Sequence, residues 1–323
     1  MVLILTETDV QSILDIGDAI EAVEGAFIEI GRGTAIAPAR PNLYLPKYDG
    51  NLLLNCGYLH ASDSVGVKIA SSYAGNARLG LPTVTALIAL YDARSGALLS
   101  LMGGTYITAM KTGASGAVAA KYLVGANPVT AGIIGTGIQG ETQVWGLTKV
   151  TGLKRVVAYD LDEERKSRFC EKVSKKFGVQ ALPANSSEAV LRQADILVTA
   201  TTSRNPVFSG KFLKEGTHVN AIGSFTDARE LDEETIRTAK TVYVDNEEAL
   251  AVGDLKVPLD AGSLRKENVV HLAEVIGGRR PGRTHDKQVT VFKSVGGAPY
   301  DIAVAAKTFQ LAKARRVGKD VEL

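Results

Sequence analysis

The sequence predicts an α/β protein: a doubly wound, parallel-sheet domain of the Rossmann type joined to an α+β domain that carries the substrate chemistry. Three observations point there. From about Ala131 onward, short apolar strands alternate with amphipathic helices, as when strands are joined by helical crossovers. Directly after the apolar run "AGII" stands "GTGIQG", a G-x-G-x-x-G turn at the opening of a helix. In the first third, by contrast, strand-like runs follow one another with little but turns between them, the pattern of an antiparallel sheet. A chain of 323 residues is long enough for two domains with separate cores.

The elements follow in order. "TETDVQSILDIGDAIEAVEGAFIEIGRG" has acids beside Thr6 and Thr8, apolar residues at helical spacing and closing glycines, and reads as one or two helices. "NLLLNCGYL", "SVGVKIASSY" and "LPTVTALIALY" read as strands, and "DARSG" as the turn that leads into "ALLSLM". "GASGAVAAKYLV", rich in Ala and Gly, reads as a closely packed helix with Lys111 and Thr112 just before it. The strands of the second domain are "AGIIG", "RVVAYD", "VQALP", "DILVTAT", "THVNAIG" and "TVYVDN", with helices such as "LDEERKSRFCEKVSKKFG" between several of them. "QVTVFKSVG" is the last strand. The long helix "PYDIAVAAKTFQLAKARR", with small residues on one face, is placed back on the first domain. With the junction at "GANPVT", the first domain comprises residues 1–128 and 299–323 and the Rossmann domain 129–298.

Composition narrows the partners. A net charge of +2, from 37 Lys and Arg against 35 Asp and Glu, gives no electrostatic reason to expect nucleic acid, so a small-molecule ligand is expected. The two cysteines, Cys56 and Cys170, are far apart and outside any C-x-x-C spacing, which suggests neither a disulfide framework nor zinc and fits a reducing cytoplasm. The opening "MVLIL" lacks the basic segment and apolar length of a signal peptide, and no run approaches the ~18 apolar residues of a membrane span. His60, His218, His271 and His285 show no metal-ligand spacing, and no G-x-S-x-G elbow marks a serine hydrolase; no metal is expected.

The glycine motif acquires meaning from its surroundings. Gly135 permits a tight turn, Gly137 lets a pyrophosphate approach the backbone, and Gly140 lets helix pack on strand. Asp160 ends the next strand twenty residues after Gly140, where a carboxylate accepts hydrogen bonds from a ribose 2′-hydroxyl and repels a 2′-phosphate. NAD(H) is therefore favoured, while Arg165 and Lys166 a helical turn further on leave NADP(H) open. "TATTS", with Thr201 and Ser203, and "AIGS", with Gly223, also end strands on the edge where open α/β sheets bind ligands.

For the substrate, Lys68 shares a strand face with Gly66 and Ala70, small neighbours that leave room for a ligand. Desolvated there, its ammonium loses basicity and suits proton exchange with an amine or imine; exposed, it is an ordinary surface lysine. If Thr112 caps the following helix, the free N–H groups and Lys111 together make an anion site. Arg40, between prolines in "APARPNLYL", can meet a carboxylate through a two-point bond or simply face solvent. Asp227, in the acidic loop "GSFTDARELDEE", can face an active site or water.

Taken together, "GVKIAS", "GLPTVTALIALYDARSGALLSLM", "TAMKTGASGAVAAKYL", "IIGTGIQG", "ADILVTATTS", "GTHVNAIGS", "RELDEE" and "TVFKSVG" make the chain similar, along nearly its whole length, to the ornithine cyclodeaminase and mu-crystallin family. The resemblance implies a homodimer formed through the first domain and a nicotinamide cofactor in the second. It matches Lys68 to the active-site lysine and Arg40 to the arginine that meets the substrate carboxylate. Thr112, Gly135, Gly137, Ile138, Gln139, Asp160, Leu161, Thr201, Ser203, Gly223 and Ser294 fall on its cofactor-contacting segments, with Lys111 where most members have arginine. That exchange keeps the charge but loses the planar fork. Cyclodeaminases and the related alanine dehydrogenases carry an aspartate where this chain has Phe225, with Asp227 nearby in a shorter loop. The implied activity is thus reduction of a cyclic imino acid, such as Δ1-pyrroline-2-carboxylate to L-proline, which needs only a proton and a hydride. The alternatives are ornithine cyclodeaminase, alanine dehydrogenase, or a crystallin-like protein that binds ligand without turnover.

Overall fold

A computed structural model of the chain describes residues 1–224 and 229–322. It runs β1 (Val2–Leu5), α1 (Glu7–Ile13), α2 (Ile16–Arg32), β2 (Ala35–Ile36), β3 (Asn42–Leu45), β4 (Gly50–Leu59), β5 (Ser64–Tyr73), β6 (Val84–Asp92), β7 (Leu98–Gly103) and α3 (Thr105–Leu123). Next come β8 (Thr130–Ile134), α4 (Ile138–Val150), β9 (Arg155–Tyr159), α5 (Glu163–Phe177), β10 (Gln180–Pro183), α6 (Ser187–Leu191), β11 (Ile196–Thr199) and β12 (His218–Ala221). The chain continues through α7 (Glu233–Ala239), β13 (Val242–Val244), α8 (Gly253–Asp260), β14 (Val269–His271), α9 (Leu272–Ile276), β15 (Thr290–Lys293), α10 (Ala298–Arg315) and β16 (Lys319–Val321). It divides into two compact units, Met1–Lys111 with Gly297–Leu323, and Thr112–Gly296.

The first unit is built on a sheet of order β16-β1-β7-β6-β5-β4-β2, with β3 also paired to β4. Its pairings are antiparallel except that of β1 with β7, which is parallel. The terminal strands β1 and β16 escape a reading of local pattern because each is short and its partner lies far along the chain. Thr6 and Asp15 cap α1 and α2 as two separate helices. Helix α10 packs on α2, where the Phe27 and Tyr300 rings lie 4.6 Å apart, and across β4 and β5. Small strand residues make that approach possible: a Cβ on Gly66 would stand 2.9 Å from Ile302 Cδ1 and 2.6 Å from the Ala89 carbonyl oxygen. The face of β5 bearing Gly66, Lys68 and Ala70 is therefore the buried one, and the apolar face with Val67 and Ile69 is the more open.

The second unit has the strand order β10-β9-β8-β11-β12-β15-β13-β14, parallel throughout, with the order reversing between β8 and β11. This is the doubly wound sheet that the strand–helix alternation predicts. The units part inside α3, not in the 125–130 stretch suggested by the sequence, because the second half of α3 belongs with α4. A Cβ on Gly146 would lie 2.8 Å from the Gly113 carbonyl oxygen, so these helices touch backbone to backbone.

A buried polar seam reinforces that contact. Gln143 Nε2 donates to the Thr112 carbonyl (2.8 Å), and Asn220 Nδ2 donates to the Gly116 carbonyl (3.1 Å) and to Gln143 Oε1 (3.2 Å). Asn220 Oδ1 then accepts from His218 Nε2 (2.9 Å), which leaves Nδ1 to accept from Thr290 Oγ1 (2.9 Å). Burial drives the His218 value down to about 3, so the ring is neutral in the fold. Unfolded, the same ring takes a proton as pH drops through its ordinary value near 6.5. Folding stability should thus be intact above that value and decline by about 1.4 kcal/mol per pH unit below it. Urea unfolding at neutral and mildly acidic pH should show this slope, and His218→Gln should flatten it; an equal slope in the variant would place its origin elsewhere.

Candidate active site

In the first unit the candidate groups are brought together by strand register and by α10. Asn55 on β4 is the direct cross-strand neighbour of Lys68 on β5, and both face α10. Lys68 is only 4% exposed, and its Nζ lies 2.6 Å from Asp301 Oδ2. Asn55 Nδ2 donates to the same oxygen at 3.3 Å. Burial brings the Lys68 ammonium down to about 8; Asp301 opposes that fall, while Lys111 and Arg40 add to it. Burial alone would raise Asp301, but the Lys68 and Lys111 charges override it and hold the carboxyl below its ordinary value. The desolvated state of Lys68 is thus the one the fold adopts. Over Gly66 the space that the strand pattern suggests for a ligand is taken by Ile302 of α10.

Arg40 and Lys111 both act on Lys68, so three predicted substrate residues share one electrostatic neighbourhood. Like charges confined together favour an anionic ligand, which relieves their repulsion. The helix-cap reading of Thr112 does not hold. Helix α3 begins at Thr105, where Glu7 accepts from the Thr105 and Tyr106 N–H groups (2.7 and 3.1 Å), so Thr112 lies mid-helix with no free N-terminal turn. Asp301 and Asn55 were not among the predicted site residues. Their signal was faint: one acid on the small-residue helix "APYDIAVAA", and one amide between apolar neighbours in "NLLLNCGYL".

In the second unit most of the predicted cofactor residues stand at the carboxyl ends of β8, β9, β11, β12 and β15, whereas Thr112, like Lys111, lies within α3. Gly135 has φ +97°, open to glycine, and a Cβ there would lie 2.5 Å from the Ala200 carbonyl oxygen. A Cβ on Gly140 would lie 2.5 Å from the Gly135 carbonyl oxygen, whereas one on Gly137 meets nothing within 4 Å. The tight turn thus falls on Gly135 and the close packing on Gly140, while Gly137 is the N-cap of α4 with open space where a Cβ would stand. Ile138 and Leu161 are exposed apolar flanks of this edge, Gln139 is half-buried, and Ser294 Oγ is buried and donates to Asp245 (2.7 Å).

Asp160 accepts from Thr136 N and Oγ1 (both 2.8 Å), from Asp162 N (3.1 Å) and from Arg165 Nη2 (2.6 Å). Partial burial opposes ionisation, but the Arg165, Thr136 and Asp162 bonds bring it to about 2. Lys166 cannot help with a phosphate: it is buried, donating to Glu163 Oε1 (2.8 Å) and the Ala184 carbonyl (2.9 Å). Arg165, half exposed, is the cation that reaches this position.

Buried Glu230 ties the neighbouring strand ends together, accepting from Thr199 Oγ1 (2.9 Å), Thr201 N (2.6 Å) and Gly223 N (2.8 Å). Lys293 Nζ donates to the Gly223 carbonyl and to Asp254 Oδ2 (2.6 Å). Ser203 N bonds Thr201 Oγ1 (3.1 Å) within the same segment. Asp227 and Phe225 lie outside the described residues.

The model of the ornithine cyclodeaminase/mu-crystallin family matches residues 1–315 of the chain, a span that takes in both the buried lysine–carboxylate pair of the first unit and the glycine turn of the second. The chain belongs to that family. It is 34% identical over 325 residues to the Δ1-pyrroline-2-carboxylate reductase of Bacillus cereus, covering 99% of each chain. Among solved structures, this family member matches the Thermococcus litoralis Δ1-pyrroline-2-carboxylate reductase in complex with NADH and L-proline, with a TM-score of 0.96 and 38% identity over 99% and 100% of the two chains. It also matches an archaeal alanine dehydrogenase dimer with bound NAD, with a TM-score of 0.94 and 36% identity over 100% and 99%.

The open cradle at Gly137 fits a diphosphate, and the contrast among the glycines is testable. Gly137→Val should weaken NADH binding by roughly tenfold or more, about 1.4 kcal/mol, with the melting temperature held. Gly140→Ala should instead lower stability by about 1–3 kcal/mol through overpacking. Fluorescence titration with NADH beside thermal melts separates the two effects, and identical behaviour of both variants would contradict the assignment.

Proposed function

We propose that this family member uses NADH to reduce a cyclic imino acid, Δ1-pyrroline-2-carboxylate to L-proline or a closely similar ketimine. The observation that carries the reading is the buried Lys68 ammonium paired with Asp301 and acted on by Lys111 and Arg40. Arg40 and Lys111 would hold the carboxylate, and Lys68 would orient the ring and give its proton to the imine nitrogen. Gly135, Gly137, Gln139, Asp160, Thr201, Ser203 and Gly223 would hold the dinucleotide, which when bound supplies the hydride to the imine carbon. The Thermococcus and Bacillus reductases support this substrate class. Reversible oxidation of alanine is the second reading, favoured by the archaeal alanine dehydrogenase.

Purified protein should consume NADH with the pyrroline acid, read as loss of NADH absorbance. Preferential NAD reduction by alanine, or ammonia release from ornithine, would move the assignment to those activities; NADH binding with no turnover on any of them would indicate a ligand-binding protein. Lys68→Gln, which keeps a hydrogen-bond donor beside Asp301, should lower turnover by roughly two to four orders of magnitude with NADH affinity retained.

The reading extends to a cytoplasmic homodimer. Leu43, Ile69 and Leu87 are exposed on one face of the first unit's sheet, with Leu52, Leu54 and Val67 half-buried among them. An apolar face of this kind favours a partner, and the archaeal relative is a dimer. Both cysteines are free thiols, and no helix among the described residues is long and apolar enough to cross a membrane. Light scattering should give a dimer for the wild type and a monomer for the Ile69→Lys, Leu87→Asp double variant; a monomeric wild type would refute the assembly.

A further inference from the structure

Lys68 faces charged groups from three directions: Asp301 on α10, Lys111 on α3 and Arg40 in the segment before β3. Asn55 on β4 is its polar neighbour across the sheet. Of these, only Asp301 favours the ammonium, and it does so at 2.6 Å in a fully buried setting. The second carboxylate oxygen, Asp301 Oδ1, and the Asn55 carbonyl, Oδ1, are both buried and meet no donor among the described residues. The negative charge of Asp301 is therefore compensated chiefly through Oδ2, where the Lys68 ammonium and the Asn55 amide converge. Taking the proton from Lys68 leaves a desolvated carboxylate facing a neutral amine, which is costly.

We propose that Asp301, steadied by Asn55, is the positioning residue that keeps Lys68 charged and aimed, so that the lysine yields its proton only when a bound imine nitrogen takes it. This rests on the imino acid reductase reading. In that step the N–H bond of Lys68 breaks and a new N–H bond forms on the imine nitrogen, while NADH, when bound, would supply the hydride for the new C–H bond. The neutral lysine is then reprotonated from solvent under the pull of the Asp301 charge. Lys68 in the wild type loses its proton near pH 8, so reduction should fall as pH rises through that value. Asp301→Asn removes the attraction but leaves burial, Lys111 and Arg40 in place, and every one of these pushes the same way.

The alkaline limb of kcat/KM for reduction should consequently move down by about one pH unit or more in Asp301→Asn, tenfold in the ammonium fraction on that limb. Oxidation of L-proline, which needs the neutral amine, should begin at lower pH by the same interval, a gain where reduction loses that mere loosening of the fold would not produce. Asp301→Ser tests the same contact should the asparagine variant not fold.

The second readout is independent of turnover: trace acetylation of Lys68 in the NADH-bound protein across pH, read by peptide mass spectrometry. A labelling midpoint that drops with the variant supports the role of Asp301 even if no imino acid is turned over, in which case only the substrate assignment is lost. An unchanged midpoint in a folded variant overturns the role even where pyrroline acid is reduced normally.

Discussion

The candidate site of the first unit rests on one constraint: an ammonium held out of water beside the carboxylate of Asp301. Lys68 is brought to this state by the fold, because the small residues of its strand face let α10 close over it and deliver Asp301. The pair is a poor stabiliser in itself, since desolvating two charges offsets much of their attraction. Its value lies in the intermediate basicity it confers. A solvated lysine holds its proton too firmly near neutrality to exchange it readily, and a buried lysine with only cations for company would not keep one at all.

The second unit meets a different demand, that of presenting backbone to a dinucleotide from fixed strand ends. Its glycines divide the work between those pressed against neighbouring backbone and the one left open. Glu230 then binds two strand ends through three hydrogen bonds, so segments that would otherwise be independent loops share one buried anchor. Such pre-organisation lowers the ordering cost at binding.

Much of this was legible in the sequence where the signal was local. The parallel sheet followed from strand–helix alternation, and the glycine turn from its place between "AGII" and a helix, since both depend on neighbours within a few residues. Lys68 could be singled out, but not its burial, because the same small neighbours that suggest an open chamber also admit a helix from residues 298–315. Asp301 and Asn55 were missed for that reason: their meaning lies in long-range pairing. The start of α3 is hidden because "TYITAM" has no strong helical periodicity, yet Glu7, almost a hundred residues earlier, supplies the cap that lets the helix start at Thr105 and leaves Thr112 inside it. Strands β1 and β16 were invisible in the same way.

The guanidinium of Arg165 lies directly on the carboxylate that a ribose would use, and more than half of its side chain is in water. A diol seeking both oxygens of Asp160 would have to turn that arm aside, and the displaced arm would then be within reach of an added phosphate. The cation that covers Asp160 thus belongs to the exterior, where evolution or engineering can exchange it without disturbing the packed interior.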